Sequence, residues 1–209
     1  MMRTLLGANP KGGSGKTTLA TNIAGYLANR NERVVLWDLD RQRSALKWLE
    51  ARPEELPRIA PFNSKQEENL GGANWLILDS PAGLHGKGLT RLLKLADKVV
   101  VPVQPSLFDM EATRDFMQVL SEAKAVRKQN TLVSMVGMRV DPRTRASSHL
   151  EVFLGEFDLP VLAYLRNTQI YVNSAFEGSS IFDLPENLAR RDLEQWAPLL
   201  EWIEDFPSE

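Results

Sequence analysis

Six short apolar runs recur along the chain, and each gives way to a polar residue or a proline. Leucine and β-branched residues dominate them, which favours β-strands, and their near-continuous hydrophobicity is typical of a parallel sheet buried on both faces. The runs span residues 3–9, 33–40, 75–81, 98–105, 132–140 and 160–167. Between them, apolar residues recur three and four apart, as in amphipathic helices, over residues 16–30, 87–96, 109–128 and 146–157.

This alternation of strands and helices predicts an α/β fold with a doubly wound, mostly parallel sheet and helices on both faces. The 209 residues suffice for one substantial domain and show no internal repeat, so we expect a single domain over residues 1–209. Sheets of this kind bind ligands beyond the carboxyl ends of their strands. Polar residues at those ends are therefore the first candidates for a site.

A glycine-rich stretch, NPKGGSGKTT at residues 9–18, lies between the first predicted strand and the first predicted helix. It satisfies the P-loop pattern G-x-x-x-x-G-K-[ST] except at the first glycine, where Pro10 stands. Glycines let the backbone turn successive N–H groups toward an anion, and a helix N-terminus adds its dipole. Lys16 would neutralise the β- and γ-phosphates of a nucleotide. The Thr17 hydroxyl would complete the shell of a Mg²⁺ ion otherwise held by phosphate and water.

Three aspartates stand at predicted strand ends beside this loop. Asp79 ends the run WLILD and, as a Walker B aspartate does, could hold a Mg²⁺-bound water. Asp38 and Asp40 end VVLWDLD, and their spacing of two puts both carboxylates on one side of a strand. Either could orient an attacking water; the alternative is an aspartate that merely caps a turn. The candidate metal-binding residues are Thr17, Asp38 and Asp79, the two aspartates acting through water.

Composition narrows the classes of function. The chain has no cysteine, which excludes disulfides, thiolate-bound zinc and iron–sulfur clusters, and the two histidines, His85 and His149, are too far apart in sequence to suggest a metal pair. A net charge of −2 excludes a globally basic nucleic-acid coat but not a local basic patch. No apolar run reaches the ~20 residues of a membrane span, and the one before Pro10 is too short for a secretory signal. We expect a cytoplasmic protein.

These motifs resemble the ParA/MinD group of P-loop ATPases, which carry a deviant Walker A motif. KGGSGKTT matches K-G-G-x-G-K-[ST], and WDLDRQRSA resembles the switch I segment D-x-D-P-Q-x-[SN]-A, with Arg41 in place of proline. LILDSPAG resembles Walker B and switch II, VVVPVQPSLFDMEA resembles P-x-x-P-S-x-x-D, and RNTQIYVNSAFEGSSIFD resembles the C-terminal R-x-x-x-Y…G-x-S-[IV]-F segment. The short length, without a separate N-terminal DNA-binding domain, makes the chain most similar to the small ParF-type plasmid partition ATPases.

The resemblance implies an ATP hydrolase that uses Mg²⁺ and dimerises around two ATP molecules. Three catalytic residues are implied: Lys11 would reach the partner's phosphates, Lys16 would serve its own nucleotide, and Asp40 would orient the lytic water. Adenine contacts are implied near GMRVDPRT, where Arg139 or Asp141 would replace an asparagine of some members, and in the later FEGSSIF region. The implied nucleotide-binding residues are Lys11, Gly12, Gly13, Ser14, Gly15, Lys16, Thr17, Thr18, Arg139 and Asp141.

The surface charges indicate whether such an ATPase would bind a membrane or DNA. Residues 186–205 hold six acidic and two basic residues, so an anionic membrane would repel this helix. Its apolar stripe, although interrupted by Pro198, is predicted to pack into the core. Non-specific DNA binding needs basic side chains gathered on one face. The candidate clusters are Lys124, Arg127 and Lys128; Arg139, Arg143 and Arg145; and Arg190 with Arg191.

The leading hypothesis is an ATPase that partitions plasmid or chromosomal DNA. It would bind the nucleoid as an ATP dimer and leave it when a ParB-like or small centromere-binding partner stimulates hydrolysis. Alternatives on the same cycle are a spatial organiser of a protein cargo, such as a chemoreceptor array or a microcompartment, and a MinD-like membrane-associated regulator. An electron-transfer ATPase is excluded because no cysteine could hold its cluster. A small-molecule kinase or synthetase is disfavoured by Lys11.

Overall fold

Within residues 2–62, 70, 72–128 and 130–206, which the computed structural model describes, seven parallel strands form one sheet. Their order across the sheet is β3-β2-β4-β1-β5-β6-β7, so the first strand lies at the centre. The strands are β1 (Arg3–Gly7), β2 (Val34–Asp38), β3 (Ile59–Pro61), β4 (Trp75–Asp79), β5 (Lys98–Val103), β6 (Leu132–Val140) and β7 (Val161–Arg166).

Helices cover both faces of this sheet. Helices α1, α2, α7 and α8 share one hydrophobic core with it, and helices α3, α4, α5 and α6 share the other. This is the doubly wound α/β arrangement, and the predicted fold class is confirmed. The helices are α1 (Lys16–Asn29), α2 (Ser44–Glu50), α3 (Gly86–Leu95), α4 (Leu107–Glu122), α5 (Lys124–Arg127), α6 (Arg145–Leu154), α7 (Ile170–Phe176) and α8 (Glu186–Glu204).

The predicted elements are present, with corrected boundaries. The helix predicted over 109–128 is two helices, because Ala123 between them has extended backbone with ψ of 130°. Strand β3 and helices α2 and α7 were not predicted. They have three, seven and seven residues, too few to repeat a hydrophobic period convincingly.

The strand predicted over 33–40 ends at Asp38. Asp38 Oδ1 accepts the N–H of Asp40 at 2.9 Å, and its Oδ2 accepts the N–H of Leu46 at 3.1 Å. A carboxylate that accepts N–H groups from residues ahead of it folds the chain into a turn. The prediction that Asp38 and Asp40 share one side of a strand is therefore wrong, and Asp40 lies in the loop.

The C-terminal helix α8 packs its apolar stripe into the core, as predicted. Trp196, Leu200 and Ile203 are buried, and the helix continues through Pro198, which is exposed. A proline inside a helix costs about 3 kcal/mol, and each buried large apolar side chain offsets about 1.5–3 kcal/mol of this. Among the described residues, no helix combines the length and the apolar character that crossing a bilayer requires.

A buried ion pair ties the end of α2 to the segment after α7. Arg52 donates hydrogen bonds to both carboxylate oxygens of Asp183, at 2.9 and 3.1 Å, and the two side chains are 5% and 1% exposed. Nearby, Trp48 Nε1 donates to the Ser179 carbonyl at 3.0 Å. These contacts fix the end of α2 while the loop before it remains at the surface.

Replacing Arg52 with methionine should lower the free energy of unfolding by about 3–5 kcal/mol, because it leaves the buried Asp183 carboxylate without its cation. Arg30→Met is the matched control. It removes an ion pair with Glu204 in which the Arg30 side chain is 56% exposed, and it should cost less than about 1 kcal/mol. Urea unfolding at pH 7 measures both. Equal losses would contradict an anchoring role for the buried pair.

Candidate functional site

A cavity of about 1230 Å³ opens beyond the carboxyl ends of the strands. The carboxyl ends of six strands, or the loops after them, form its wall, as expected for a doubly wound sheet. Of the predicted nucleotide-binding residues, the wall includes Gly12, Gly13, Gly15, Lys16, Thr17, Thr18 and Arg139, and it does not include Lys11, Ser14 and Asp141. The rest of the wall consists of residues 39–42, 44, 81, 82, 104, 138, 165–169, 171, 172, 175 and 176.

Backbone angles that favour glycine shape the loop between β1 and α1. Gly13 and Gly15 have φ of 77° and 109°, in the left-handed region that glycine adopts readily. A Cβ at Gly15 would also lie 2.8 Å from the Met138 methyl carbon. Gly15 directly precedes α1, so the loop brings the first N–H groups of that helix to the cavity.

The Lys16 ammonium lies over its own loop. Its Nζ donates to the Lys11 carbonyl at 2.8 Å and to Ser14 Oγ at 3.5 Å, and the residue is 6% exposed. Burial lowers the pKa of Lys16, and the charges of Asp79 and Asp40 oppose that shift. Both hydrogen-bond acceptors are uncharged, so the ammonium remains able to pair with an anion in the cavity.

A buried asparagine that the sequence analysis did not single out holds the start of the loop. Asn9 is 0% exposed, and its Oδ1 accepts the N–H of Lys11 at 2.9 Å. Its Nδ2 donates to the Pro102 carbonyl at 2.8 Å and to Thr113 Oγ1 at 3.0 Å. The only sequence signal for this role is the position of a polar residue directly after an apolar strand. Asn9 therefore joins the loop to β5 and α4.

Thr17 and Asp79 meet where α1 begins and β4 ends. Thr17 Oγ1 donates to Asp79 Oδ2 at 2.7 Å. Asp79 is 1% exposed, and its Oδ1 has no hydrogen-bond partner among the described residues. Burial raises the pKa of Asp79 to about 7; the charge of Asp38 adds to the rise, whereas the Thr17 hydrogen bond and Lys16 oppose it. An orphaned carboxylate oxygen beside a hydroxyl fits one side of a hydrated magnesium ion.

Protein side chains alone would not hold a metal ion here. In the described ranges, histidine, aspartate and glutamate side chains form no group of three that could surround one. Magnesium usually keeps several waters and binds one or two carboxylates together with substrate phosphates. The Thr17 hydroxyl and the Asp79 carboxylate therefore fit a magnesium ion that binds together with a nucleotide.

Asp40 connects the loop after β2 to the loop after β4. Its Oδ1 accepts the N–H of Gln42 at 2.9 Å, and its Oδ2 accepts the N–H of Ala82 at 3.2 Å. Asp40 lines the cavity, whereas Asp38, with both oxygens bonded to backbone N–H groups, does not. Asp40 is thus the carboxylate with access to a ligand, and Asp38 shapes the turn that carries it.

Another part of the wall comes from the carboxyl ends of β6 and β7. Arg139 contributes to it and has φ of 52°. Asp141 instead forms an ion pair with Arg143 at 2.8 Å, and hydrogen bonds from Arg143 lower the pKa of Asp141 to about 2. The structure therefore brings only the first of these two predicted adenine-contacting residues to the cavity.

The segment formed by the end of β7 and the residues after it lines the cavity over residues 165–169, and sequence reasoning gave it no role. Within it, Arg166 donates to both oxygens of the buried Asp192 at 2.8 Å. Tyr171, also in the wall, accepts a hydrogen bond from Trp196 Nε1 at 2.9 Å. These contacts tie the cavity wall to α8. The resemblance of RNTQIY to a family segment was the only signal in the sequence.

Lys11 has a fixed main chain and a side chain outside the cavity wall. Its N–H donates to Asn9 Oδ1, and its carbonyl accepts a hydrogen bond from Lys16 Nζ. The residue is partly exposed, and among the described residues its ammonium has neither a hydrogen-bond acceptor nor a carboxylate partner. Its position leaves the ammonium available to a group outside the chain's own cavity.

Comparison with known proteins identifies relatives of this chain. The family model described as the CobQ/CobB/MinD/ParA nucleotide binding domain matches residues 5–181. Maintenance of carboxysome distribution protein A of Halothiobacillus neapolitanus is 30% identical over 192 residues, 87% of this chain and 87% of that protein. The chromosome-partitioning ATPase Soj of Thermus thermophilus is 29% identical over 195 residues, 74% of this chain and 78% of that protein.

A solved structure shares the fold. The putative plasmid partition protein of Borrelia burgdorferi, bound to AMPPNP, superimposes with a TM-score of 0.73 and 17% sequence identity. The superposition covers 97% of this chain and 100% of that one. At this identity the likeness shows the fold alone.

The nucleotide-free protein should become less stable as pH rises through the titration of Asp79. Its pKa is about 7 when folded, against an ordinary value of 3.8, so the folded state binds more protons between these values and loses stability as pH rises toward 7. Asp79→Asn cannot ionise. The difference in unfolding free energy between Asp79→Asn and the wild type should therefore grow in favour of the variant by about 3 kcal/mol from pH 4.5 to pH 8.

Urea unfolding at several pH values between 4.5 and 8 measures this difference. Asp141→Asn is the control, because the pKa of Asp141 is lowered to about 2 and its carboxylate stays ionised throughout that range. A difference between Asp79→Asn and the wild type that stayed constant with pH would contradict the raised pKa.

Proposed function

The chain belongs to the CobQ/CobB/MinD/ParA nucleotide-binding family, and we propose that it is a Mg²⁺-dependent ATPase that distributes a cargo inside the cell. One observation carries the ATPase assignment: Lys16, Thr17 and Asp40 line one cavity, with Asp79 bonded to Thr17 behind it. Phosphoryl transfer to water requires a cation on the phosphates, a metal and a positioned nucleophile. These residues supply the means for all three.

The reaction joins a water oxygen to the γ-phosphorus and breaks the bond from that phosphorus to the β–γ bridging oxygen. The electron pair leaves with ADP, and the water's proton passes to phosphate. A Mg²⁺ ion held by these residues would supply positive charge that offsets the charge of the phosphate oxygens. Lys16 would pair with the phosphates, and Thr17 and Asp79 would hold the metal and its water. Asp38, whose two oxygens accept backbone N–H groups, would reach the metal only through water.

Asp40 orients the lytic water in this proposal. A carboxylate offers about four lone-pair sites, and the N–H groups of Gln42 and Ala82 use two of them. Asp40 can therefore accept a hydrogen bond from the water while it keeps both backbone hydrogen bonds. Base contacts come from the end of the wall that holds Arg139.

Lys11 extends the site to a second copy of the chain. If it folded onto the phosphates that Lys16 already serves, the two ammonium groups would repel by about 4 kcal/mol at ~4 Å in an effective dielectric of ~20. The phosphates of a partner's nucleotide offer a better target, where Lys11 offsets the repulsion between two facing triphosphates. ATP binding and dimerisation are thereby coupled.

Two cargoes fit this cycle. A large protein assembly is the first, favoured by the identity with a carboxysome distribution protein over 87% of both chains. Plasmid or chromosomal DNA is the second, favoured by the identity with Soj, and it requires a ParB-like or centromere-binding partner. A neighbouring gene for a small DNA-binding protein, with DNA repeats beside it, would favour the second cargo.

Non-specific DNA is the proposed surface on which the ATP dimer rests, and the cluster on α5 is the proposed contact. Its members are exposed and form no ion pair within the described residues: Lys124, Arg127 and Lys128. The clusters around Arg143 and Arg190 are each partly neutralised by a neighbouring carboxylate. The α5 cluster thus keeps the most charge for phosphate contacts.

Lys11→Ala should bind ATP nearly as well as the wild type but fail to dimerise, because its ammonium serves the partner's nucleotide. Lys16→Ala should lose nucleotide binding altogether. Light scattering with Mg-ATP, in an Asp40→Ala background that suppresses turnover, measures dimerisation, and calorimetry measures binding. The exposed Lys94→Ala is the control for loss of one positive charge. ATP-dependent dimers of Lys11→Ala would show that the lysine does not act in trans.

Mixed-sequence DNA should bind tightly with ATP and weakly with ADP or without nucleotide, because dimerisation doubles the basic patch. Raising the salt should weaken the binding steeply, with a slope of about −0.9 per phosphate contact in a plot of log affinity against log salt. Lys128→Ala should reduce that slope while ATP hydrolysis is unchanged. Filter binding at several salt concentrations tests this, and equal affinity in all nucleotide states would contradict the proposal.

A further inference from the structure

Arg41 lies in the cavity wall, between Asp40 and Gln42. The motif that this segment resembles has proline there, so the arginine is a property of this chain. It is exposed, and among the described residues it makes no hydrogen bond and no ion pair. An unpaired guanidinium at the edge of a phosphate-binding cavity is available to an anionic ligand.

The backbone around Arg41 is held on both sides. Asp38 Oδ1 accepts the N–H of Asp40 at 2.9 Å, and Asp40 Oδ1 accepts the N–H of Gln42 at 2.9 Å. Asp40 Oδ2 also accepts the N–H of Ala82 at 3.2 Å. Two successive aspartate turns, one bonded to the loop after β4, therefore place Arg41 beside the carboxylate proposed to orient the water.

The negative charges around the loop favour a further cation from the same chain, beside the Lys11 that the proposed dimer would bring from a second copy. Lys16 is the one lysine among the described residues that line the cavity. Asp38 and Asp40 lie close enough to Asp79 for their charges to raise its pKa. The triphosphate adds further negative charge, and more of it develops at the breaking bond during transfer. Within one copy of the chain, Lys16 and a bound Mg²⁺ would face this set, and the proposed dimer would add only the Lys11 ammonium of a second copy.

Arg43 provides the contrast. It stands two residues further on, immediately before α2, with φ of 53°. It is exposed, and it is not part of the cavity wall. The two arginines therefore carry the same charge on the same loop, and only one of them lines the cavity.

We propose that Arg41 is a catalytic residue that acts in cis on the transferred phosphoryl group, an inference that rests on the proposed ATPase function. Its planar guanidinium donates to the β–γ bridging oxygen and to a γ-phosphate oxygen while the bond between the γ-phosphorus and the bridging oxygen breaks. Because the charge it neutralises grows during that step, it stabilises the transition state more than bound ATP. The same loop thus supplies both the group that orients the water and the cation that receives the developing charge.

Single-turnover hydrolysis of Mg-ATP by the full chain tests the role directly. Arg41→Ala should slow hydrolysis on the order of 100-fold or more, by analogy with other arginines that stabilise phosphoryl transfer, while ATP affinity changes by less than about threefold. Arg41→Lys should recover only part of the rate, because a point ammonium lacks the bidentate fork. Arg43→Asn is the matched control, and asparagine tolerates the left-handed backbone there. It should hydrolyse ATP like the wild type.

A second readout does not depend on turnover. ADP with aluminium fluoride mimics the transferred phosphoryl group, and calorimetry compares its binding with that of ATP. Arg41→Ala should lose affinity for the mimic by about the same factor as it loses rate, and Arg43→Asn should lose neither.

Three results would overturn the inference. The first is hydrolysis by Arg41→Ala within about twofold of the wild type. The second is an equal loss of rate in Arg43→Asn, which would indicate a general effect of surface charge. The third is a loss of ATP affinity as large as the loss of rate, which would make Arg41 a ground-state contact. A wild-type chain that binds ATP without hydrolysing it would instead refute the proposed function itself, and this inference with it.

Discussion

The parallel register of the three strands β1, β2 and β4 is the constraint on which the site depends. Gly7 pairs with Asp79, and Asp79 pairs with Asp38, so the last residues of these strands stand side by side. The loops that follow β1, β2 and β4 therefore begin at the same level of the sheet. The glycine-rich loop, the switch-like loop after β2 and the loop after β4 can therefore share hydrogen bonds without long side chains to bridge them.

The proximity of these strand ends also has an electrostatic cost, because it places three carboxylates close together where they are partly buried from water. The structure manages it in three ways. Both oxygens of Asp38 accept hydrogen bonds from backbone N–H groups, and Asp40 accepts one from the loop after β4. Asp79 accepts a hydrogen bond from the Thr17 hydroxyl, and its pKa is raised. One oxygen of Asp79 still lacks a partner among the described residues. A buried carboxylate oxygen that lacks a protein partner beside a threonine hydroxyl is suited to a cation that binds together with a ligand.

Much of this could be predicted from the sequence, and physical reasons separate what could from what could not. The loop at 9–18 was predictable because its chemistry is local: glycines, a lysine and a helix start follow one another in the chain. Short elements such as β3 were missed because three residues carry no period. The contact of Arg166 with α8 was missed because it joins residues 26 apart in sequence, and no local pattern encodes such a pairing. Asp40 was predicted on the strand but lies in the loop after β2, because residue spacing cannot show where a strand stops.

The hydrogen bond from Leu46 to Asp38 has a consequence for how this protein can change in evolution. It closes a loop between residues eight apart, and Arg52 then fixes the far end of the same helix. The hydrogen bond and the ion pair fix both ends of α2 and leave the loop before it at one length. Adding or deleting a residue between 39 and 45 would therefore break the hydrogen bond from Leu46 to Asp38 and displace Asp40. Insertions and deletions are therefore expected to accumulate in exposed turns elsewhere in the chain. The loop over residues 39–45 should accept substitutions more readily than changes of length.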